Sequence, residues 1–387
     1  MASTSGSGDA GSLVDITKLK SYVFEIGPIR PPSEGGSFSL LLRVTRNCPW
    51  SRCTFCYGRF YRRSPFELRS VDEVKADIDT VKAISDEINA LSWKLGFNGK
   101  IEAMATTFPS LLLGGKDTRS LDESEVRNVH CVINVFNWLV AGGKSVFLQD
   151  ADTPVMHTDQ LVEVLKYLKE VFPAIDRVTS YARAKTIERK KPGELKQLRE
   201  AGLARLHIGL ETGDDELLAY VDKGVTAEEH IKAGKQAMAA GFEVSLYVMP
   251  GLGGSALWQQ HAVNTARVLN EINPDFIRMR PFVPLHGTPM LEDYRNGDFE
   301  LTSPHERLRE IKLMIENLEV TSRVTFDQIT NIGIRSGDRL IPLFRNDYDG
   351  YKFPGEKEKV LEIIDEGLRL DEKALMDVKE WAGRRSL

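Results

Sequence analysis

The chain has 387 residues, of which 42% are hydrophobic and 28% charged, with a formal net charge of −5. That composition is ordinary for a globular protein, and the charge balance argues against a broad surface for nucleic acid or anionic membrane. No apolar run reaches the roughly 20 residues needed to cross a bilayer, so no membrane partner is expected.

Met1 to Ala10 is rich in Ser and Gly and lacks the basic and apolar parts of a signal peptide, which predicts a loose tail and a cytoplasmic location. Ser39 to Thr45 reads as a first strand and runs into a cysteine-bearing loop. Ser70, with Glu73 three positions on, forms the pattern of a capping box and opens a helix. Residues 93–144 break the pattern with Gly, Pro and charge clusters around one apolar helical stretch, Val132 to Val140, and read as an insertion. Strands and helices then alternate: Ser145 to Gln149, His157 to Val171, Arg177 to Tyr181, Gly193 to Ala201, Ala204 to Leu210, Ala227 to Ala240, Phe242 to Met249, Ala256 to Ile272, and Phe276 to Phe282. Six βα steps predict an α/β fold, a partial (β/α)6 barrel of parallel strands with right-handed crossovers. Beyond residue 300 the pattern turns helical (Pro304 to Val320, Glu356 to Leu370, Asp371 to Trp381). The expected organisation is a lead-in over 1–38, the barrel over 39–290 and a mainly helical extension over 291–387 that closes it, with Thr325 to Asn331 contacting substrate.

Three of the four cysteines fall within nine residues, Cys48, Cys53 and Cys56, in a C-x4-C-x2-C spacing. Such bunching reads as a metal site in a reducing compartment. Thiolates suit an iron–sulfur cluster or zinc. A zinc site would need a fourth ligand, Cys131 or a histidine, and Cys131 lies 75 residues beyond Cys56 in a predicted helix.

The loop, with Phe55 before its last cysteine, resembles that of the radical S-adenosylmethionine (SAM) superfamily, whose usual spacing is one residue shorter. The resemblance covers about residues 39–290 and includes the elongator-type, methylthiotransferase and coproporphyrinogen-oxidase branches. It implies a [4Fe–4S] cluster held by Cys48, Cys53 and Cys56, with the fourth iron chelating SAM. It also implies a one-electron donor such as flavodoxin or ferredoxin, and reductive cleavage to a 5′-deoxyadenosyl radical that abstracts hydrogen from a substrate.

The remaining expected SAM contacts sit at strand ends. Gln149, Asp150 and Asp152 stand where the superfamily carries an acid for the SAM amino group, and Ser180 and Arg183 where ribose and carboxylate are met. The run Gly209-Leu210-Glu211-Thr212-Gly213 resembles a motif of the same branches. Two-residue periodicity puts Arg205, His207, Gly209 and Glu211 on one face and Leu206, Ile208 and Leu210 on the other. Glu211 is therefore expected inside the barrel, with His207 and Tyr181 as further candidates for the chemistry. The resemblance also places the adenine near the turn at Met249 and Gly251. Arg278 and Arg280 share a face that needs acids or an anionic ligand, either the SAM carboxylate or a group on the substrate. The expected substrate is a small, anionic organic molecule. The basic, aromatic segment with Arg59, Arg62, Arg63, Tyr57, Phe60 and Tyr61 suits an anion or an electron-donor patch. Rival readings are a SAM-binding haem- or cluster-handling chaperone of the same fold, a tRNA-modifying relative, disfavoured by net charge and the lack of an RNA module, and a zinc-stabilised structural protein.

Overall fold

The structure, a computed structural model, describes residues 15–29, 38–56, 58, 64–337 and 339–385. Met1 to Ala10, and the segment holding Tyr57, Arg59, Phe60, Tyr61, Arg62 and Arg63, lie outside the described residues.

Strand β1 (Leu40–Arg43) is followed by a short pair, β2 (Thr45–Arg46) and β3 (Glu67–Leu68). Then come β4 (Ser145–Gln149), β5 (Arg177–Ala182), β6 (Leu203–Glu211), β7 (Glu243–Val248), β8 (Phe276–Met279) and β9 (Arg323–Thr325). A hairpin, β10 (Gly333–Ser336) and β11 (Arg339–Pro342), precedes β12 (Tyr351–Lys352). The main sheet has the order β1-β4-β5-β6-β7-β8-β9-β12. Every pair from β1 to β9 is parallel and β12 is antiparallel.

Thus the six expected strands form a consecutive parallel run, with helices in the crossovers. The order is that of an open, partial barrel: among the described residues no strand joins β12 to β1. The periodicity of β6 sorts as expected. Leu206, Ile208 and Leu210 are buried in the apolar core that the crossover helices cover. His207, on the opposite face, meets the rings of Phe147, Tyr181 and Tyr247.

Helix α1 (Val71–Lys94) opens with the expected capping box between Ser70 and Glu73. The 93–144 stretch holds α2 (Phe108–Leu113) and α3 (Glu123–Val140). Helix α3 starts at Glu123 rather than Val132, because Asp122 and Glu125 form a second capping box. Its apolar face joins the main core: Phe136 stacks on Phe108 at 4.2 Å. The barrel continues with α4 (Thr158–Val171), α5 (Ala184–Arg189), α6 (Pro192–Glu200), α7 (Asp215–Tyr220), α8 (Ala227–Ala239) and α9 (Gly254–Ile272). It ends with α10 (Pro289–Asn296), α11 (Pro304–Glu316) and α12 (Lys357–Arg369).

The extension is mainly helical, as expected, through α10, α11 and α12, with strands between α11 and α12 that the sequence pattern did not show. Residues 323–352 carry four strands, and 371–381 form only short 3-10 turns. Strand β9 has three residues, too short for a period to show in sequence. It prolongs the sheet beyond β8 instead of closing it.

Candidate active site

The C-terminal ends of the parallel strands gather the residues singled out by sequence. The cysteine loop is held there from both sides. At its start, Glu25 accepts from Arg43 at 2.9 Å and from Arg46 at 2.7 Å, and the Asn47 N–H donates to Asp150 Oδ2 at 2.9 Å. Within the loop, Ser51 Oγ donates to the Cys48 carbonyl at 2.8 Å and the Cys56 N–H to the Cys53 carbonyl at 2.9 Å. Thr54 N–H donates to the Val221 carbonyl at 3.0 Å. Trp50 docks on the turn after α7. Its Nε1 donates to the Asp222 carbonyl at 2.6 Å, and the guanidinium carbons of Arg52 and Arg183 lie 4.8 and 5.0 Å from its ring centroid. Gly224, at φ +68°, permits the contact, since a Cβ there would lie 2.3 Å from the Trp50 ring.

Cys48, Cys53 and Cys56 are half-buried and free of disulfides. Burial pushes the Cys56 thiol up to about 12, and the neighbouring Cys53 and Cys48 add to it. Burial also raises Cys53; Lys223 opposes this and Cys48 reinforces it. The three thiols are therefore electrostatic neighbours that need a cation to stand as thiolates. Among the described residues, no three His, Cys, Asp or Glu side chains are gathered closely enough to ligate a single metal ion. Cys131 is turned elsewhere: its Sγ donates to the Phe24 carbonyl at 3.2 Å and accepts from the Phe24 N–H at 3.4 Å. Three free thiols on one nine-residue loop are a donor set that fits a cluster with one thiolate per iron.

The polar residues after β4 hold neighbouring parts of the chain. Gln149 is fully buried and clamps the lead-in, donating to the Gly27 carbonyl at 3.0 Å and accepting from the Gly27 N–H at 2.8 Å. Asp150 Oδ2 takes Arg43 Nη2 at 2.6 Å and Nε at 2.9 Å. Asp152 takes Thr186 Oγ1 at 2.6 Å and the Arg183 N–H at 3.0 Å, which fixes the start of α5, and burial pushes it up to about 6. Each of the three thus holds a protein group, while Asp150 Oδ1 is buried beside Gly27 with no hydrogen-bond partner among the described residues. Ser180 pairs in register with Leu206, which puts it on the helix-covered face rather than inside the barrel. Arg183 spans the mouth and donates to the Lys223 carbonyl at 2.9 Å.

Glu211 lies at the mouth as expected. It adopts φ +64° where β6 breaks register with β7, a conformation that costs a non-glycine residue energy and turns its side chain back over Gly209. Lys223 Nζ donates to Glu211 Oε1 at 2.9 Å and lies 5.6 Å from the Phe55 ring centroid. Burial works against the Lys223 ammonium, but Glu211 and Cys53 together hold it above its ordinary value. Phe55 and Met249 pack on a second apolar cluster with Leu217, Val221, Leu252 and Phe282.

The Gly251 turn is fastened from behind. Its N–H donates to the Glu310 carboxyl at 2.8 Å. Glu310 is fully buried, and burial pushes it up to about 8. His261 Nε2 lies 3.3 Å from Glu310, while its Nδ1 shares a 2.7 Å bond with Thr212 Oγ1; burial lowers this imidazole to about 4. On β8, Arg278 Nη1 donates to Asp327 at 3.0 Å and Nε to Ser245 at 3.1 Å. Arg280 Nη1 donates to Gln328 Oε1 at 2.7 Å. Asn331, expected to meet substrate, is buried and donates to the Met279 carbonyl at 3.0 Å.

Sequence reasoning missed the roles of Lys223 and Trp50. Lys223 sits in an Asp-Lys-Gly turn, and its only linear signal was that turn chemistry. Glu310 was hidden on the apolar side of α11.

The family model described as the Radical SAM superfamily matches residues 118–263. The chain is 27% identical over 138 residues to the tRNA uridine(34) acetyltransferase of Methanocaldococcus jannaschii, covering 35% of this chain and 26% of that protein. It is 27% identical over 129 residues to heme chaperone HemW of Bacillus subtilis, covering 33% and 34%. Among solved structures, Methanocaldococcus infernus Elp3 with an N-terminal deletion aligns with a TM-score of 0.42 at 18% identity, over 58% of this chain and 55% of that one. The chain spans about a quarter to a third of the length of these curated relatives.

Proposed function

With the radical SAM superfamily as the family of this chain, we propose that it is a radical SAM enzyme acting on a small, anionic organic substrate, with Cys48, Cys53 and Cys56 holding a [4Fe–4S] cluster. The observation that carries this reading is the loop of three free cysteines, clamped at the C-terminal ends of parallel strands beside the Lys223–Glu211 pair.

When bound, the cluster and SAM supply a reductive C–S cleavage and a hydrogen-abstracting radical, fed by an external one-electron donor such as flavodoxin or ferredoxin. The protein's part is positioning and exclusion of water. Arg183 and Trp50 hold the loop against the β5 and β6 ends. Glu211 offers a carboxylate for an ammonium group, and Lys223 fixes its orientation and balances its charge. Phe55 and Met249 give an apolar lining to the same side. Residues 39–290 are the catalytic barrel in this reading, and 291–387 supply the far wall of the mouth.

A second reading takes RNA as the substrate. The similarity to tRNA uridine(34) acetyltransferase supports it and weakens the expectation, drawn from net charge, that nucleic acid is not a partner. Filter binding of tRNA across a salt series separates the two: tight, salt-sensitive binding favours RNA, and its absence favours the small molecule.

The reading is tested by anaerobic reconstitution, followed by addition of SAM and a strong reductant and detection of 5′-deoxyadenosine by mass. Formation that depends on all three cysteines supports the enzyme. SAM binding without any cleavage favours the chaperone-like alternative.

A further inference from the structure

Three arginines of the barrel strands differ in how their charge is met. Arg205 pairs with Glu243 at 2.7 Å, and Arg278 pairs with Asp327 at 3.0 Å. Arg280, among the described residues, makes no ion pair. Its side chain donates to the neutral Gln328 Oε1 and lies over the Tyr247 ring, 4.8 Å from the centroid.

The same place is short of acceptors. Arg280 Nε, the Tyr247 hydroxyl and Arg278 Nη2 are all closed off from solvent, and the one acceptor among them is the Tyr247 oxygen, which faces the Arg280 side chain and leaves the Tyr247 O–H and Arg278 Nη2 as unmet donors. Tyr247 and Arg278 are direct cross-strand partners, and Arg280 follows on the same face of the chain leaving β8. Buried donors beside an unpaired guanidinium are costly to leave unmet. A fork of guanidinium N–H groups with a phenol O–H beside it matches an oxyanion.

The charged groups gathered here differ from those beside the cysteines, and the corner adjoins that side through the Arg280 N–H, which donates to the Val248 carbonyl at 2.8 Å. The charged groups that bear on Cys53 are Lys223, Arg183 and Glu211. Those that bear on the Tyr247 hydroxyl are Arg280, Arg278 and Asp327. Next to the donors stands a wall of rings: Tyr181 and His207 each lie 6.0 Å from Tyr247, and Phe147 lies 5.2 Å from Tyr181.

We infer that Arg280 and Tyr247 form an oxyanion site for the substrate, taking a small carboxylate or phosphate whose apolar body rests on the ring wall, and that Arg280 does not serve the SAM carboxylate. The identification of the anion as substrate rests on the radical SAM reading; the existence of the site does not.

The test uses the full chain, anaerobically reconstituted, and titrates inorganic phosphate and benzoate by calorimetry at constant ionic strength. The expected result is saturable binding that weakens at least about tenfold in R280Q and recovers in part in R280K. It stays the same in R189Q, a change at an exposed arginine away from the mouth, and in the presence of saturating SAM. Preference for benzoate assigns a carboxylate, and preference for phosphate a phosphate ester; either upholds the site. Where R280Q does not fold, Y247F, which removes one hydroxyl, carries the same comparison. Equal affinity in wild type and both variants, or displacement of the anion by SAM, overturns the inference. Anion binding of the expected pattern in a chain that never cleaves SAM would leave the site standing and remove the enzyme reading instead.

Discussion

Lys223 Nζ meets Glu211 Oε1 at 2.9 Å with both side chains close to nine-tenths buried, and this ion pair lies between the cysteine loop and the end of β6. A buried pair is costly to break from one side, because the remaining charge is left unmatched. K223M is therefore expected to lower stability by roughly 3 kcal/mol. The double variant K223M/E211Q, which removes both charges, is expected to recover much of that loss. Chemical denaturation of the three proteins checks the pattern; a single-variant loss no larger than that of the double would contradict it.

The Trp50 clasp makes a second prediction. A methyl group at Gly224 would enter the Trp50 ring space, and its φ of +68° disfavours any side chain. G224A is expected to destabilise the fold by about 1–3 kcal/mol and to speed iron loss to a chelator. Iron release at the wild-type rate would mean that the clasp does not hold the loop.

Glu310 and His261 set opposite pH limbs. In the fold Glu310 keeps its proton to about 8, against an ordinary 4.5, so between these values the folded state binds more protons and stability falls as pH rises. His261 stays neutral down to about 4, against 6.5, so stability falls as pH drops through that window. E310Q removes the alkaline limb. Between pH 6 and pH 9 the wild type is expected to lose on the order of 1–3 kcal/mol more than E310Q. Parallel pH profiles would refute the assignment.

Cys131 tests the zinc alternative. It is bonded to Phe24 within the α3 core, so C131S is expected to leave iron and sulfide content at the wild-type level. Loss of metal in C131S would make Cys131 a ligand.

Much of the barrel was legible because period-two patterns survive in a single chain. Arg205 and His207 alternate with Leu206 and Ile208, and the structure sorts them onto the two faces of β6. The bunched cysteines were equally plain. The partners of the strand-end acids were not. Asp150 Oδ2 is engaged by Arg43, 107 residues away, and Asp152 by Thr186, 34 residues away, so an acid that looked free in sequence already holds a protein group. Lys223 was invisible for the same reason: its meaning comes from Glu211 and Cys53, which only the fold brings beside it. Strand β9 escaped because three residues carry no period, although Asp327 just beyond it decides how Arg278 is balanced.

The measurement that bears most directly on the central claim is the iron, sulfide and zinc content after anaerobic reconstitution, with 5′-deoxyadenosine followed once SAM and reductant are added. About four irons and four sulfides per chain, with deoxyadenosine formed and both lost in C53A, is the predicted result. Stoichiometric zinc with no cleavage of SAM would contradict it and make the cysteine loop structural.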